Sequence, residues 1–315
     1  MSDAPGLVGL SETLRSTLPP EALSFSPEVT YAVDGLSPRI VVMPATPHEV
    51  AAVLETANAS GAAVLPRGGG TQTALGMPPQ RYDVALDLKR LNGVVEYEPA
   101  DLTVTVEAGM RLSELQKLLG EKGQWLPLDP PLPDEATIGG VLATNVSGPA
   151  RLRYGSSRDL VIGMTVALAS GEVVKSGGRV VKNVAGYDLA KLHIGALGTL
   201  GVIVQAVFKV APLPVQDVAV MVPGDLEALG RLADALIDAR LALLGLVLSK
   251  GAGETRWTLA ARFAGGAAAV QRSQGETNCW RVSFSMVFFS SVARLSYSFL
   301  PLATPISNLI RPFFQ

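Results

Sequence analysis

Residues 64–76 read VLPRGGGTQTALG: an apolar run breaks into three consecutive glycines, with Arg67 before them and Thr71 and Thr73 after. Glycines without a Cβ can turn successive backbone N–H groups toward one point, and such a run makes a nest for an anion, usually phosphate. Arg67 would add charge, and the two threonines would add hydroxyl donors. A tight turn at a crowded corner explains an isolated Gly68-Gly69-Gly70 equally well, so the anion has to be identified from elsewhere. Two common phosphate loops are excluded. No Lys-Ser or Lys-Thr pair follows the glycines, as a Walker loop needs. The loop also leaves the second strand rather than the first, and Pro78-Pro79 stand where a Rossmann helix would begin.

The surrounding pattern is strand, helix, strand. RIVVM (39–43) is β-branched and apolar. In TPHEVAAVLETANASG, Thr46 is the N-cap, Pro47 the first helical residue and Glu49 the capping-box partner. DVALDL (83–88) and LTVTVEAG (102–109) continue as strands. RLSELQKLLGEKG reads as a helix burying Leu112, Leu115, Leu118 and Leu119. VIGMTVALASGEVV predicts a hairpin with Ser170-Gly171 at its tip. YDLAKLHIGALGTLG predicts a helix breaking into a glycine turn, followed by the strand VIVQAVFKV (202–210). APLP (211–214) is a boundary, and a β-α-β-β module follows.

The 315 residues carry a net charge near −2 and no basic run, which gives no reason to expect nucleic acid. The single Cys279 rules out a Cys-rich metal or iron–sulfur site, and His48 and His193 lie far apart, so no metal site is expected. The N-terminus lacks a basic segment followed by an apolar core, and a cytoplasmic chain is expected.

A second cluster, ATIGGVLATNVSG (136–148), places Thr137 before Gly139-Gly140 at the start of a helix, offering further amides and a helix dipole to negative charge. A third, GTLGVI (198–203), lets the backbone lie flat against a planar group. Each alone is explained by a tight turn. Together they suit a diphosphate-linked cofactor.

PRGGGT, TIGGVLATNVSG, RYGSSRDLVIGMTVALASGEVV, NVAGYDLAKL and GALGTLGVI, in this order, resemble the FAD-binding domain of the vanillyl-alcohol oxidase/p-cresol methylhydroxylase (PCMH) type. The form with KNVAGYDLAKLHIGALGTLG and a short second domain is similar to the FAD-binding subunits of bacterial glycolate oxidase. The resemblance implies an α+β fold: a two-subdomain FAD-binding domain at 35–212 after an N-terminal extension at 1–34, then a short, incomplete cap at 213–275. It implies that Arg67, Gly68, Gly69, Gly70 and Thr71 embrace the FAD pyrophosphate. Thr137, Gly139 and Gly140 would meet its other side or the ribityl chain. Asn145, Ser147 and Gly148 would lie near the flavin, Tyr154 and Gly155 near its edge, and Gly198, Gly201 and Ile203 near the adenosine. Gly70 stands where some members carry a flavin-linked histidine, so FAD is expected to be non-covalent.

The implied activity is oxidation of glycolate to glyoxylate beside a larger homologous FAD subunit and an iron–sulfur subunit, with membrane contact at most peripheral, through that complex. Relatives acting alone use a histidine-rich site in a larger cap, and no histidine follows His193 here. A stand-alone FAD-dependent 2-hydroxy acid or alcohol oxidoreductase, or a non-redox scaffold subunit, are the alternatives. No catalytic base is readable. His193 reads as a packed histidine, His48 as solvated, and Tyr187 and Asp188 as helix caps. Arg151, Arg153 and Arg158 are either anion contacts or solvated. The composition changes in the tail, residues 276–315: from Thr277 onward they hold no Asp or Glu and six of the nine phenylalanines. They read either as a membrane-contacting tail or as a non-native continuation such as follows a frameshift.

Overall fold

A computed structural model describes residues 5–25, 29–178, 189–278 and 287–290. The chain divides into two compact units, Met1–Gly148 with Tyr154–Pro212, and Pro149–Arg153 with Leu213–Gln315. Tyr187 and Asp188 lie outside the described residues.

The first unit opens with α1 (Pro5–Thr17), then β1 (Leu23–Ser24), β2 (Ile40–Val42), α2 (Pro47–Ala59), β3 (Val64–Arg67) and β4 (Val84–Asp87). The sheet order is β1-β2-β4-β3, with β2, β4 and β3 parallel. Thr46 caps α2 by accepting from the Glu49 amide at 3.1 Å, while the Glu49 carboxylate accepts from the amide of Ala45 at 2.7 Å. Such a cap is worth about 1 kcal/mol. Leu10 and Leu14 of α1 and Val50, Val53 and Leu54 of α2 share one core with Ile40, Val42, Val84 and Leu86. The expected N-terminal extension therefore contributes to the core of this unit, because Leu10, Leu14 and Leu18 recur every fourth residue and are buried.

Strand residues alternate between faces, so Val41, Ala85 and Leu65 turn to the other side and meet Tyr31 and Tyr82. Arg67 and Asp87, paired across the β3–β4 ladder, end the strands on that face.

The chain continues through β5 (Val94–Glu98), β6 (Thr103–Glu107), α3 (Leu112–Gly120), β7 (Gln124–Trp125), α4 (Ile138–Thr144), α5 (Arg151–Tyr154) and α6 (Ser157–Leu160). It then runs through β8 (Val161–Ala167), β9 (Val173–Gly177), α7 (Ala190–His193), β10 (Val202–Lys209) and β11 (Ala211–Pro212). The antiparallel sheet β5-β6-β10-β8-β9 holds a core of Val104, Val106, Met164 and Phe208 against Leu115 and Leu119 of α3 and Ile138 and Leu142 of α4. Leu118 stays only partly buried beside it.

The second unit comprises β12 (Gln216–Gly224), α8 (Leu226–Asp238), β13 (Leu243–Ser249), β14 (Trp257–Gly265), α9 (Ala267–Asn278) and β15 (Val287–Ser290), with sheet order β13-β14-β12-β15. This unit holds more elements than the β-α-β-β read from the sequence. The module does not stop at β-α-β-β: α9 follows, and β15 pairs antiparallel with β12 from Val218 to Met221. The break expected at residue 276 falls inside α9, and β15 comes from the stretch read as a tail. The second unit also takes in Pro149–Arg153, where the Arg153 guanidinium donates to the Ala264 carbonyl.

Tyr82 is 5% exposed, and its hydroxyl has no hydrogen-bond partner among the described residues. Its pKa is pushed up to about 12, chiefly by burial, with Arg67 opposing the rise and Asp87 adding to it. An unpartnered buried hydroxyl costs about 1–3 kcal/mol. Tyr82→Phe should therefore leave the thermal midpoint unchanged or raise it, read by calorimetry; a fall of several degrees would show a hidden partner.

Candidate functional site

The glycine loop leaves the carboxyl end of β3, an edge strand of a parallel set, where α/β sheets commonly place ligands. Its glycines are needed for a specific reason. A methyl group at Gly68 would overlap the Thr137 hydroxyl, and one at Gly69 would overlap the Glu135 carbonyl. The loop thus lies flat on the turn that starts α4. Only Gly70 has the left-handed backbone, φ +76°, and a Cβ there would stand 2.6 Å from the Arg67 guanidinium. Crowding fixes the first two glycines and backbone conformation fixes the third.

With this packing, the amide N–H groups of Gly68, Gly69, Gly70 and Thr71 donate to no acceptor among the described residues. These residues are half-buried. Unpaired amides in such a position are uncommon, and a run of successive ones suits an anion.

The second cluster differs from its sequence reading. The amides of Ile138 and Gly139 donate to the carbonyls of Met110 (2.9 Å) and Ala108 (2.7 Å), and that of Gly140 to the Thr137 hydroxyl at 3.4 Å. Gly139 and Gly140 therefore do not offer the free amides expected of them, whereas the Thr137 amide donates to no acceptor among the described residues. Thr137 caps α4 and supports Gly68, and Gly139 sits so close to Ala108 that a Cβ would stand 2.8 Å from its methyl.

Past α4 the backbone opens again. Asn145 ends the helix in the left-handed region at φ 51° and accepts from the Ser157 hydroxyl at 2.9 Å. The amides of Val146, Ser147 and Gly148 find no acceptor among the described residues. The Ser147 hydroxyl and the Trp125 indole N–H are buried without a partner there. A methyl at Gly148 would overlap the Asp129 carbonyl. The Tyr154 ring meets Trp125 edge-on at 5.5 Å, and Gly155 turns at φ +80° against Asp159, whose carboxylate closes the capping box with Ser156.

The third cluster joins the other two. The amides of Gly195 and Leu197 donate to the Leu142 and Ala143 carbonyls at the end of α4 (3.0 and 2.8 Å), and Gly198, at φ +76°, packs on Pro66 beside Arg67. Gly201 abuts Val166. Ile203 is the exception: it is 4% exposed and lies in the core beneath β10, so its side chain presents no surface to a ligand. Arg158 and Lys191 line a cavity of about 450 Å³ with Leu192, Ile194, Gly195 and Ala196. Next to it, His193 Nδ1 is buried without a partner among the described residues, and burial lowers the pKa of the ring. Sequence reasoning missed Trp125, Ser157, Tyr31 and Asp87, which meet partners elsewhere in the chain, and Lys89, which pairs with Asp87 close by.

The residues present fit a diphosphate-linked flavin: they offer two runs of unspent amides, one beside a cationic Arg67, and an orphaned hydroxyl and indole. Residues 38–177 match the family model of the FAD binding domain. Its fold is that of the PCMH type. p-Cresol methylhydroxylase superposes with a TM-score of 0.76 at 18% identity, over 91% of this chain and 66% of that one. Alkyldihydroxyacetonephosphate synthase superposes with 0.77 at 19%, over 92% and 61%.

The chain is similar to glycolate oxidase subunit GlcD of Bacillus subtilis, 36% identical over 177 residues, which are 56% of this chain and 38% of that protein. It is also similar to subunit GlcE of Escherichia coli, 39% identical over 149 residues (47% and 42%), and to a D-2-hydroxyglutarate dehydrogenase of Xanthomonas citri pv. viticola, 37% over 178 residues (56% and 38%). The matched stretch spans less than half the length of these relatives. Among the described residues, no group of three or more His, Cys, Asp or Glu is placed to hold a metal ion, and no helix is long and apolar enough to cross a membrane.

Two outcomes are expected. Gly69→Ala should destabilise the FAD-free chain by about 1–3 kcal/mol, as overpacking does. Gly140→Ala, whose Cβ would stand 3.2 Å from the Thr137 hydroxyl, should cost less; denaturant titration measures both. His193, with its pKa lowered on folding, resists protonation in the native state. Its contribution to stability is complete above the ordinary histidine pKa, about 6.5, and is lost as pH falls through and below it. His193→Gln should flatten the pH dependence of the thermal midpoint below about pH 6.5.

Proposed function

We propose that the chain is the FAD-binding subunit of an oxidoreductase complex acting on glycolate or a closely related 2-hydroxy acid, and that its FAD is held without a covalent bond. The observation that carries this reading is the run of unspent amides from Gly68 to Thr71, set where three turns meet within an FAD binding domain. The similarity to glycolate oxidase subunits supports the substrate class.

In this reading the amides of Gly68–Thr71 and the Arg67 charge hold the diphosphate. The amides of residues 146–148, together with the Ser147 hydroxyl, hold polar edges on the flavin side, with Tyr154 and Gly155 at its border. Gly198 and Gly201 leave room for the adenosine half. Thr137, Gly139 and Gly140 act indirectly by fixing the floor on which the loop rests. When bound, FAD supplies a two-electron acceptor for the carbon that bears the substrate hydroxyl.

The chain's single cysteine cannot form an iron–sulfur relay, and no histidine follows His193 in the sequence. Of the two exits open to electrons from a reduced flavin, a partner or a diffusible acceptor, this reading takes partner subunits, namely a larger homologous flavoprotein and an iron–sulfur protein. The complex would work on the cytoplasmic side, touching the membrane peripherally at most.

The test is reconstitution. The purified chain with FAD should be yellow and stay oxidised under anaerobic glycolate, and should support dye reduction only with its companion subunits. Failure to take up flavin would refute the reading. Bleaching of the isolated chain by a hydroxy acid would identify a stand-alone enzyme. Complex activity that survives loss of this chain's flavin would identify a scaffold.

A further inference from the structure

Behind the glycine loop lies a polar cluster. Arg67 and Asp87 end neighbouring parallel strands, in register, on the same face of the sheet. A guanidinium and a carboxylate so placed would ordinarily pair, yet among the described residues Arg67 makes no ion pair. Its guanidinium carbon instead stands 5.2 Å from the centre of the Tyr31 ring, and its NH2 group lies against Gly70.

Asp87, 1% exposed, is occupied on both oxygens. Oδ1 accepts from the Lys89 amide at 3.0 Å. Oδ2 accepts from the Tyr31 hydroxyl at 2.7 Å and lies 3.1 Å from the Lys89 ammonium. Tyr31 thus serves twice: its hydroxyl helps satisfy Asp87, and its ring carries Arg67. Lys89 is half-exposed and supplies the compensating charge.

We infer that Tyr31 and Lys89 are positioning residues that keep Asp87 from capturing Arg67, so that the loop arginine remains an uncommitted cation for the diphosphate of the bound dinucleotide. This rests on the proposed reading that the Gly68–Thr71 loop holds that diphosphate. The physical logic is competitive. A buried carboxylate must be satisfied, and once Tyr31 or Lys89 is lost, the nearest replacement donor is Arg67. Losing a lysine that touches no ligand would then weaken anion binding mainly by redirecting another side chain.

The experiment titrates FAD onto the full-length, flavin-stripped chain, following quenching of flavin fluorescence, with thermal denaturation of the FAD-free protein as a check of folding. Lys89→Met should raise the Kd about tenfold, the scale of one charge-assisted hydrogen bond. Tyr31→Phe, which changes no charge, should raise it roughly threefold or more. Adding Asp87→Asn to either variant should bring the Kd back to within about twofold of the parent chain, because the competitor is gone.

Wild-type affinity in both Lys89→Met and Tyr31→Phe would overturn the inference. So would losses that Asp87→Asn does not relieve. A loss in Lys89→Met alone, with Tyr31→Phe unaffected, would overturn it in favour of a general charge effect. If the parent chain itself takes up no FAD, the underlying functional reading fails, and that result is distinct from every pattern above.

Discussion

The contact of the Gly69 backbone with the Glu135 carbonyl, and of Gly68 with the Thr137 hydroxyl, is the constraint on which the rest of the site depends. There is no room for a side chain between the loop and the turn that starts α4. The loop, held flat, has its outward amides left without internal acceptors, while the amides of Ile138, Gly139 and Gly140 beneath it are all used. One surface acts as floor and the other as donor array. The third turn locks the arrangement by supplying donors to the carbonyls at the end of α4 and by resting Gly198 on Pro66. An array fixed in this way needs little reorganisation to receive an anion, which is how preorganised sites gain affinity.

Much of this was legible in the sequence, because local chemistry writes itself in short patterns. Thr46-Pro47 with Glu49 marked the start of α2, Ser170-Gly171 marked a hairpin tip, and alternation over 102–109 marked β6. The three glycine clusters marked turns that meet. What the clusters did not disclose was which glycine serves which purpose. Thr137-Ile138-Gly139-Gly140 has the look of an open helix start, yet the amides of Ile138, Gly139 and Gly140 are taken by Met110, Ala108 and Thr137, two of which come from a different part of the chain. Ile203 sits in a motif of half-buried glycines but belongs to the buried run of β10, and its side chain joins the core.

Long-range pairings account for the remaining misses. Tyr31 and Asp87 are 56 residues apart, and nothing local in either segment shows that a phenol will satisfy that carboxylate. The four-residue recurrence of Leu10, Leu14 and Leu18 was present in the sequence, but only the sheet beneath shows that it joins a core. β15 pairs with β12 across more than sixty residues, from a stretch whose composition differs from everything before it. Composition alone could not reveal that a strand of this stretch completes the sheet.

The central claim is that the unspent amides of two separate turns receive one dinucleotide. Amide hydrogen exchange, compared with and without FAD, tests it most directly. The account predicts that exchange slows at Gly68–Thr71 and at residues 146–148 when FAD binds, while the amides of Gly139 and Gly140, already bonded internally, change little. Binding of FAD with exchange at Gly68–Thr71 unchanged would contradict it.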